Sequence, residues 1–429
     1  MAPNVLAWFV ELEGYGLAAN GDGLLEGLRI VEGSAFVAAP LGGMTLAALG
    51  ADVIRFDDIH GGLDSRRWPV TKEGVSLYWA GLNKGKRSIA IDLRSGAGRE
   101  LVAALVAAPG ADAGIFSTNL PARGWLAYEA LAKGREDLIM LAISGARDGS
   151  AHVDYTVNSV CGFPLMTGPV GGQGPVNHVL PAWDIATGYA AATALLAAER
   201  HRTRKGRGQL VKLALQDVGL SATAALGYLG EAEVNGVERP RYGNEVFGTF
   251  ARDFATTDGR HLMICVFTTR QLNALATAGG LTEQFSEIER RLSVDLKDEA
   301  HRWKARGELA AVIEAWIGAL TLDEASAQLQ AAGALWAPYK TAGELVAGDA
   351  LLTENPMFQR VEQPGVGAMW SSASVFEFAD AERLPVRPAP LLGEHTDEVL
   401  AGVLGLSDGQ IGKLHDDGVV RGAEAVETG

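Results

Sequence analysis

Leu28–Ser34 (LRIVEGS), Ala39–Gly50 (APLGGMTLAALG) and Ala51–Asp57 (ADVIRFD) follow one another near the start of the chain. The first is a short apolar run that reads as a strand. The second has the apolar spacing of a buried helix, and the third is β-branched and reads as another strand. Strand, helix and strand in so short a stretch make a βαβ unit, which implies a parallel sheet. The alternation continues outward: RSIAIDL (87–93) predicts a strand, GRELVAALVAA (98–108) a helix and AGIFSTN (113–119) a strand. WLAYEALAKG (125–134) then predicts a helix and LIMLAISG (138–145) a strand. Strands this uniformly apolar belong to a sheet covered on both faces. The fold class is therefore α/β.

Farther out, IATGYAAATALLAAERHR (185–202) predicts a long helix of small residues, ended by the basic turn TRKGRGQ. GQLVKLALQDVG (208–219) continues as a strand leading into a helix. After about residue 225 the sequence becomes aromatic and turn-rich. RPRYGNEVFGTFARDFATTDGRHLMICVF (239–267) predicts antiparallel strands with a hairpin turn at TDGR. Residues 282–330 carry amphipathic helices, one of them starting at Thr321-Leu322-Asp323-Glu324. Around LWAPYKTAGEL (335–345) the chain leaves this smaller region, and RPAPLLGEHTDEVL (387–400) returns to loop and helix. Residues 1–24, with their NGDGLLEG turn, read as an appended N-terminal extension.

Thirty-seven basic against 52 acidic side chains leave a net charge of −15 over 429 residues. That balance, with a pI near 5.1, excludes a broad nucleic-acid or anionic-membrane surface, because neutralising phosphates needs clustered Lys and Arg. An anionic ligand would need a local basic pocket. Cys161 and Cys265 form no metal-ligand spacing and read as reduced thiols of an intracellular protein. No metal is expected. MAPNVLAWFV lacks a basic leader, and no apolar run reaches the roughly 18 residues of a membrane span, so a cytoplasmic protein is expected. Glycine, at 54 residues, exceeds the usual share of about 7% without periodicity, which points to many tight turns or close backbone approaches.

Four segments bear on chemistry. The glycine spacing in APLGGMTLAALG is wrong for a dinucleotide fingerprint, although Asp57 sits where a ribose contact would fall. In LNKGKRSIAIDL (82–93), Lys84, Lys86 and Arg87 stand together as either a phosphate clamp or a solvated turn. In HVLPAWDIATG (178–188), Asp184 begins a helix. The plain reading is an N-cap, and a carboxylate among helix N–H groups stays ionised, as a nucleophile must. Finally, His152, His178, His201 and His395 show no triad context, no GxSxG elbow occurs, and Cys161 reads as a small buried hydrophobe.

Taken in order, LRIVEGS…LGADVIRFD, NKGKRSIAIDL, TNLPARGW, LIMLAISG, WDIATG, RKGRGQLVKLALQDV and PLLGEHT resemble the class III CoA-transferase family, which also contains α-methylacyl-CoA racemases. The resemblance runs from about Leu25 to Leu400. Within the family, EGSAFVAAPLGGMTLAALGADVIRFD, DYTVN and NHVLPAWDIATG are most similar to members that move CoA between the carbon-1 and carbon-4 carboxyls of mesaconate. The resemblance implies a large Rossmann-like domain built from both chain ends (25–225 and 346–429) and a smaller α+β middle domain with linkers (226–345). It also implies a homodimer of interlocked rings, with each active site between the large domain of one subunit and the small domain of the other. The substrate would be the CoA thioester of a C5 unsaturated dicarboxylate, 2-methylfumaryl-CoA, with no cofactor beyond the CoA of the substrate itself. Asp184 falls on the family's catalytic aspartate, which would carry the acyl group as an anhydride and then CoA as an aspartyl thioester.

For CoA, the resemblance nominates Val37 and Ala38 beside the thioester, Lys86 with neighbouring Arg87 at the nucleotide end, and Asn119 and Arg123 from the TNLPARGW loop. Arg147, Arg241 and Asn244 are candidates, by chemistry alone, for the distal carboxylate. Several departures stand beside the match. Many intermolecular transferases carry Gln where this chain has Val37, together with a glycine run near the small-domain site where RYGNEVFG lies here. The basic residue expected after the second strand is Asp58. Racemases place a His where this chain has Val153, with His152 one residue away, and racemisation needs two opposed acid/base groups. An intermolecular dicarboxylate transferase and a racemase are the alternatives to intramolecular CoA transfer; a CoA-ester binding protein with a vestigial site is a third.

Overall fold

The computed structural model describes residues 23–423; the expected N-terminal extension lies, for residues 1–22, outside the described residues. The chain divides into two compact units. One comprises residues 23–161, Val179–Gly227 and residues 353–423; the other comprises Gly162–His178 and Tyr228–Leu352. The segment Gly162–His178, read from the sequence as part of 25–225, thus packs with the second unit.

The first unit opens with β1 (Arg29–Gly33), α1 (Ala38–Ala47), β2 (Asp52–Asp58), α2 (Leu77–Leu82) and β3 (Arg87–Ile91). It continues with α3 (Gly96–Ala107), β4 (Ile115–Thr118), α4 (Tyr128–Leu131), β5 (Ile139–Ser144) and α5 (Asp154–Val160). The chain then forms α6 (Phe163–Met166) in the second unit and re-enters the first with α7 (Ala182–Lys205), β6 (Gln209–Ala214) and α8 (Leu215–Ala225). Strands β1, β2 and β3 pair in parallel, as do β1, β4, β5 and β6. The resulting order, 3-2-1-4-5-6, is that of a doubly wound Rossmann sheet. From the chain's end, β12 (Val420–Arg421) pairs antiparallel against β3 and closes that edge, which is why both ends of the sequence belong to one sheet.

Register aligns Ile30 with Val53 and Ile115, and Ile115 with Ile139, so apolar side chains stack across the sheet. One covering layer joins Val31, Phe56, Ile89, Phe116 and Met140 to α3 and to the C-terminal residues Leu400 and Leu414. WLAYEALAKG is not the continuous helix that its composition predicts. It forms a 3-10 turn at Gly124–Leu126 and the four-residue α4, because Ala127 between them is extended (φ −66°, ψ 143°).

On the opposite layer α1 packs along α7, and glycine permits it. A Cβ at Gly188 would lie 2.9 Å from Leu41 Cβ and 3.0 Å from the Ala38 carbonyl oxygen. This contact sets the first turn of α7 beside the start of α1.

In the second unit, β7 (Phe250–Ala255), β8 (His261–Val266) and β9 (Trp336–Pro338) form an antiparallel sheet. The TDGR turn joins the first two strands, with Thr256 N–H donating to the Arg260 carbonyl and Gly259 at φ +74°. Helices 282–292, 306–317 and 322–332 bury Phe285, Ile288, Leu309, Ile313 and Leu329 against Phe250, Phe254 and Ile264. Thr321 and Glu324 form the capping box expected of them. The hairpin of β10 (Phe358–Gln363) and β11 (Gly367–Ser372) belongs to the first unit. Among the described residues no helix is long and apolar enough to cross a membrane.

Candidate active site

In an open parallel sheet of this order, ligands bind at the carboxyl ends of the strands where the winding reverses. Here the reversal lies between β1 and β4. The loop leaving β1, Ser34–Val37, is held there by the loop leaving β4: Asn119 Oδ1 accepts from Ala35 N–H at 2.9 Å, and its Nδ2 donates to the Ala35 carbonyl at 2.7 Å. Asn119 therefore positions the loop. The loop turns through Phe36, which adopts φ +64°, a left-handed conformation that costs a residue with a Cβ about 1–2 kcal/mol. At Val37 it enters α1 with no side-chain cap. Among the described residues, the amides of Val37, Ala38 and Ala39 have no hydrogen-bond partner. A helix start with free N–H groups is a site for negative charge. The Val37 and Ala38 side chains are buried, so these residues offer backbone to a ligand.

Beneath the loop lies a buried charge network. Arg55 binds Asp57 through two hydrogen bonds of 2.9 Å, and also reaches Asp64 at 3.0 Å, Asn83 at 2.9 Å and the Ser34 carbonyl at 3.0 Å. Asp57 is thus spent inside the protein and makes no ribose contact. Lys86 Nζ donates to Glu32 at 2.7 Å, to the Pro40 carbonyl at 2.8 Å and to Asn83 at 3.0 Å, with no solvent exposure of the pair. Burial pushes the Lys86 ammonium down to about 8, against the pull of Glu32.

The phosphate-clamp reading of the LNKGKRS cluster is corrected by this geometry. Lys86 points inward to Glu32. Arg87 pairs with Asp52 and Glu398, and Lys84 donates to Ser372. Burial pushes Lys84 down to about 8 as well. Three basic residues adjacent in sequence are drawn to three different carboxylate or carbonyl partners, because the turn sends their side chains apart. A cavity of about 380 Å³ near them is lined by Asp52, Lys84, Arg87 and His395. It lies at the starts of β2 and β3, the opposite strand end from Asn119.

Asp184 sits in the first turn of α7, and its own carboxylate does not cap the helix. The N-cap is Pro181, and the cap acceptor is the buried Asp154 of α5. Its Oδ2 accepts from Trp183 N–H at 2.7 Å and from Asp184 N–H at 3.1 Å. One turn on in α5, Asn158 Oδ1 accepts from Trp183 Nε1 at 3.1 Å. DYTVN is therefore the cradle for WDIATG. Because Asp154 takes those N–H groups, the Asp184 carboxylate receives no hydrogen bond among the described residues. Burial first, and then repulsion from Asp154, push it up to about 7, with Arg67 pulling the other way. The expectation that helix amides keep Asp184 ionised is corrected accordingly: it is held near the point of titration.

Arg67, Tyr78 and Phe36 complete the surroundings, and none was singled out from the sequence. The Arg67 guanidinium carbon lies 5.2 Å from the Phe36 ring centre and 5.3 Å from that of Tyr78. Tyr78 feels both Arg67 and Asp184, and burial pushes its hydroxyl up to about 12. It stays a phenol. The available signal was DSRRWPV (64–70): the loop after β2 ends at the same edge of the sheet as the loops after β1 and β4.

The remaining nominated residues are elsewhere or engaged. Arg147, 82% exposed, pairs with Asp217 at 2.8 Å. In the second unit Arg241 donates to the carbonyls of Leu165, at 3.1 Å, and Gly174, and Asn244 is exposed. Arg123, exposed after β4, has no carboxylate partner among the described residues. Of the basic residues nominated for CoA it alone is unengaged. His152 keeps a buried Nδ1 without a hydrogen-bond partner among the described residues, and Val153 is exposed at the cap of α5. Both cysteines are free and burial raises both thiols, so neither is an activated nucleophile. No three His, Cys, Asp or Glu side chains among the described residues converge as metal ligands.

The sequence profile of CoA-transferase family III matches residues 25–396. The 2-methylfumaryl-CoA isomerase of Chloroflexus aurantiacus is 55% identical over 94% of this chain and 99% of its own length. A succinyl-CoA:mesaconate CoA-transferase of Haloarcula marismortui is 28% identical over 89% of this chain and 97% of its own. Among solved structures, a CAIB/BAIF family protein from Brucella suis superposes with a TM-score of 0.74 at 27% identity, covering 89% of this chain and all of that one.

Proposed function

Since this chain belongs to CoA-transferase family III, we propose that it is an enzyme moving CoA between the two carboxyls of 2-methylfumarate, with Asp184 as the covalent carrier. The substrate follows from the likeness to the isomerase of Chloroflexus aurantiacus. The observation that supports the role of Asp184 is its carboxylate: set at the head of α7, half-buried, and free of hydrogen bonds among the described residues because Asp154 caps the helix in its place.

The Asp184 carboxylate attacks carbon 1 of the thioester; the C–S bond breaks and CoA leaves as thiolate, giving a mixed anhydride. The thiolate then attacks the aspartyl carbonyl of the anhydride, giving an aspartyl-CoA thioester and 2-methylfumarate with both carboxylates free. When the carbon-4 carboxylate attacks that thioester, CoA leaves again and a new anhydride forms. Thiolate attack on its carbon-4 carbonyl releases Asp184 and the isomeric thioester. Atoms and charge balance without a cofactor. Splitting one exchange into four acyl transfers keeps every step a displacement at a carbonyl. The free amides of Val37, Ala38 and Ala39 are the oxyanion donors, each worth about 3–4 kcal/mol by analogy with known oxyanion holes, and Arg123 is the cation for a CoA phosphate. The reading includes a cytoplasmic location, tested by cell fractionation, and a homodimer, tested by sedimentation of the purified protein.

The deciding experiment supplies the carbon-1 thioester with isotopically labelled free 2-methylfumarate and separates the two regioisomers. Formation of the carbon-4 thioester without label is expected. Rapid label uptake would instead make the enzyme an intermolecular transferase, and solvent deuterium entering a saturated 2-methylacyl-CoA would make it a racemase.

A further inference from the structure

We propose that Arg67 receives the free carboxylate of the bound dicarboxylate, first the carbon-4 group and then the carbon-1 group, and thereby selects the substrate and keeps it from escaping. The inference rests on Asp184 as the acyl carrier. Arg67 belongs to a rigid turn: its N–H donates to the Asp64 carbonyl at 3.2 Å, and its carbonyl accepts from Ser76 Oγ at 2.6 Å. Asp64 is itself fixed by Arg55. The exposed guanidinium lies 5.2 Å and 5.3 Å from the ring centres of Phe36 and Tyr78 and shares a side-chain hydrogen bond with Tyr78; with five N–H donors it keeps further N–H edges for an anion.

Those edges are not spent on a carboxylate. Arg29, Arg55, Arg87, Arg135, Arg147 and Arg202 of the same unit all pair with carboxylates. Arg67 pairs with none among the described residues. Among the described residues, Arg67 is the cation that pulls on Asp184, against the negative charge of Asp154 beside it.

An acyl group bound there with one free carboxylate needs such a cation. With one carboxyl joined to Asp184, the other remains charged across a trans double bond, in a neighbourhood made negative by Asp154. A guanidinium edge matches a carboxylate through two parallel hydrogen bonds. Because the two ends of 2-methylfumarate exchange roles during the reaction, one receptor beside one nucleophile serves both half-reactions. In the middle of the cycle, when the diacid is bound only noncovalently, the same contact holds it while CoA sits on Asp184. This accounts for retention of the acyl group by a site that the sequence departures (Val37 in place of Gln) already set apart from intermolecular transferases.

The test uses hydroxylamine, which cleaves an activated Asp184 and inactivates the enzyme in proportion to acyl transfer. Two substrates are compared on wild type, R67Q and R67K: the carbon-1 thioester with its free carbon-4 carboxylate, and the same thioester with carbon 4 as a methyl ester. The expected result is that R67Q slows inactivation by the free acid about 10- to 100-fold but inactivation by the methyl ester less than threefold, with R67K intermediate on the acid. Equal slowing with both substrates, or none with either, overturns the proposal, since the first means that Arg67 acts on Asp184 alone. Wild type that resists hydroxylamine in the presence of the free acid would refute the Asp184 reading itself and this proposal with it.

Discussion

Replacing Asp184 by Asn should abolish turnover and, above neutral pH, make the protein more stable. The carboxylate is pushed from 3.8 up to about 7 by burial and by Asp154. Between those values the folded state holds a proton that the unfolded chain has lost, so stability falls as pH rises through that window. Above about 7 both states are ionised and the folded protein carries the full cost. A rise of that size corresponds to roughly 4 kcal/mol at 1.36 kcal/mol per tenfold. Because Asp184 is half-buried, solvent screening reduces this to about 1–2 kcal/mol, or roughly 2–6 °C in melting temperature. The side-chain amide of D184N has a similar shape and no charge, so the substitution removes that cost. The assay is thermal melting of wild type and D184N at pH 4.5, 6 and 8. The gap should be small at pH 4.5, grow through pH 6 and be largest at pH 8. A gap independent of pH, or a less stable D184N at pH 8, would refute the account of the Asp184 environment.

Four further outcomes follow from the same geometry. The nucleophile must be ionised, so kcat/KM for the thioester should rise about tenfold per pH unit and level off near 7. D154N, which keeps the cap acceptor but drops the charge, should move that midpoint about one unit lower. G188A places a methyl against Leu41 and the Ala38 carbonyl; forcing α1 from α7 should destabilise the protein by about 1–3 kcal/mol and cut activity more than tenfold, read by denaturant melts beside the isomerisation assay. K86M leaves Glu32 buried and unpaired and should cost about 3–5 kcal/mol in the same melts, with the companion change Glu32→Gln recovering part of it.

Hydrophobic periodicity made the α/β class legible, since strands covered on both faces must be apolar throughout and their order in the chain fixes a parallel sheet. The ordered segments from LRIVEGS to PLLGEHT also carried the family and, with WDIATG, the position of Asp184. They did not carry its surroundings. Asp184 reads locally as a cap, and only the packing of α5 against α7 transfers that task to Asp154, 30 residues earlier, leaving the Asp184 carboxylate without a hydrogen bond among the described residues. Lys84, Lys86 and Arg87 read as one basic patch, and only the fold separates their side chains among Ser372, Glu32 and Asp52. Arg67 lies far from Asp184 in sequence and shows no periodic signal, yet the loops after β1 and β2 and the start of α7 meet at one edge of the sheet. Sequence by itself therefore determined the elements, the sheet and the place of Asp184 at the head of a helix, because those depend on local pattern. Tertiary structure alone decided which charges are spent and which are free, because pairing depends on distance in space and on exclusion of water.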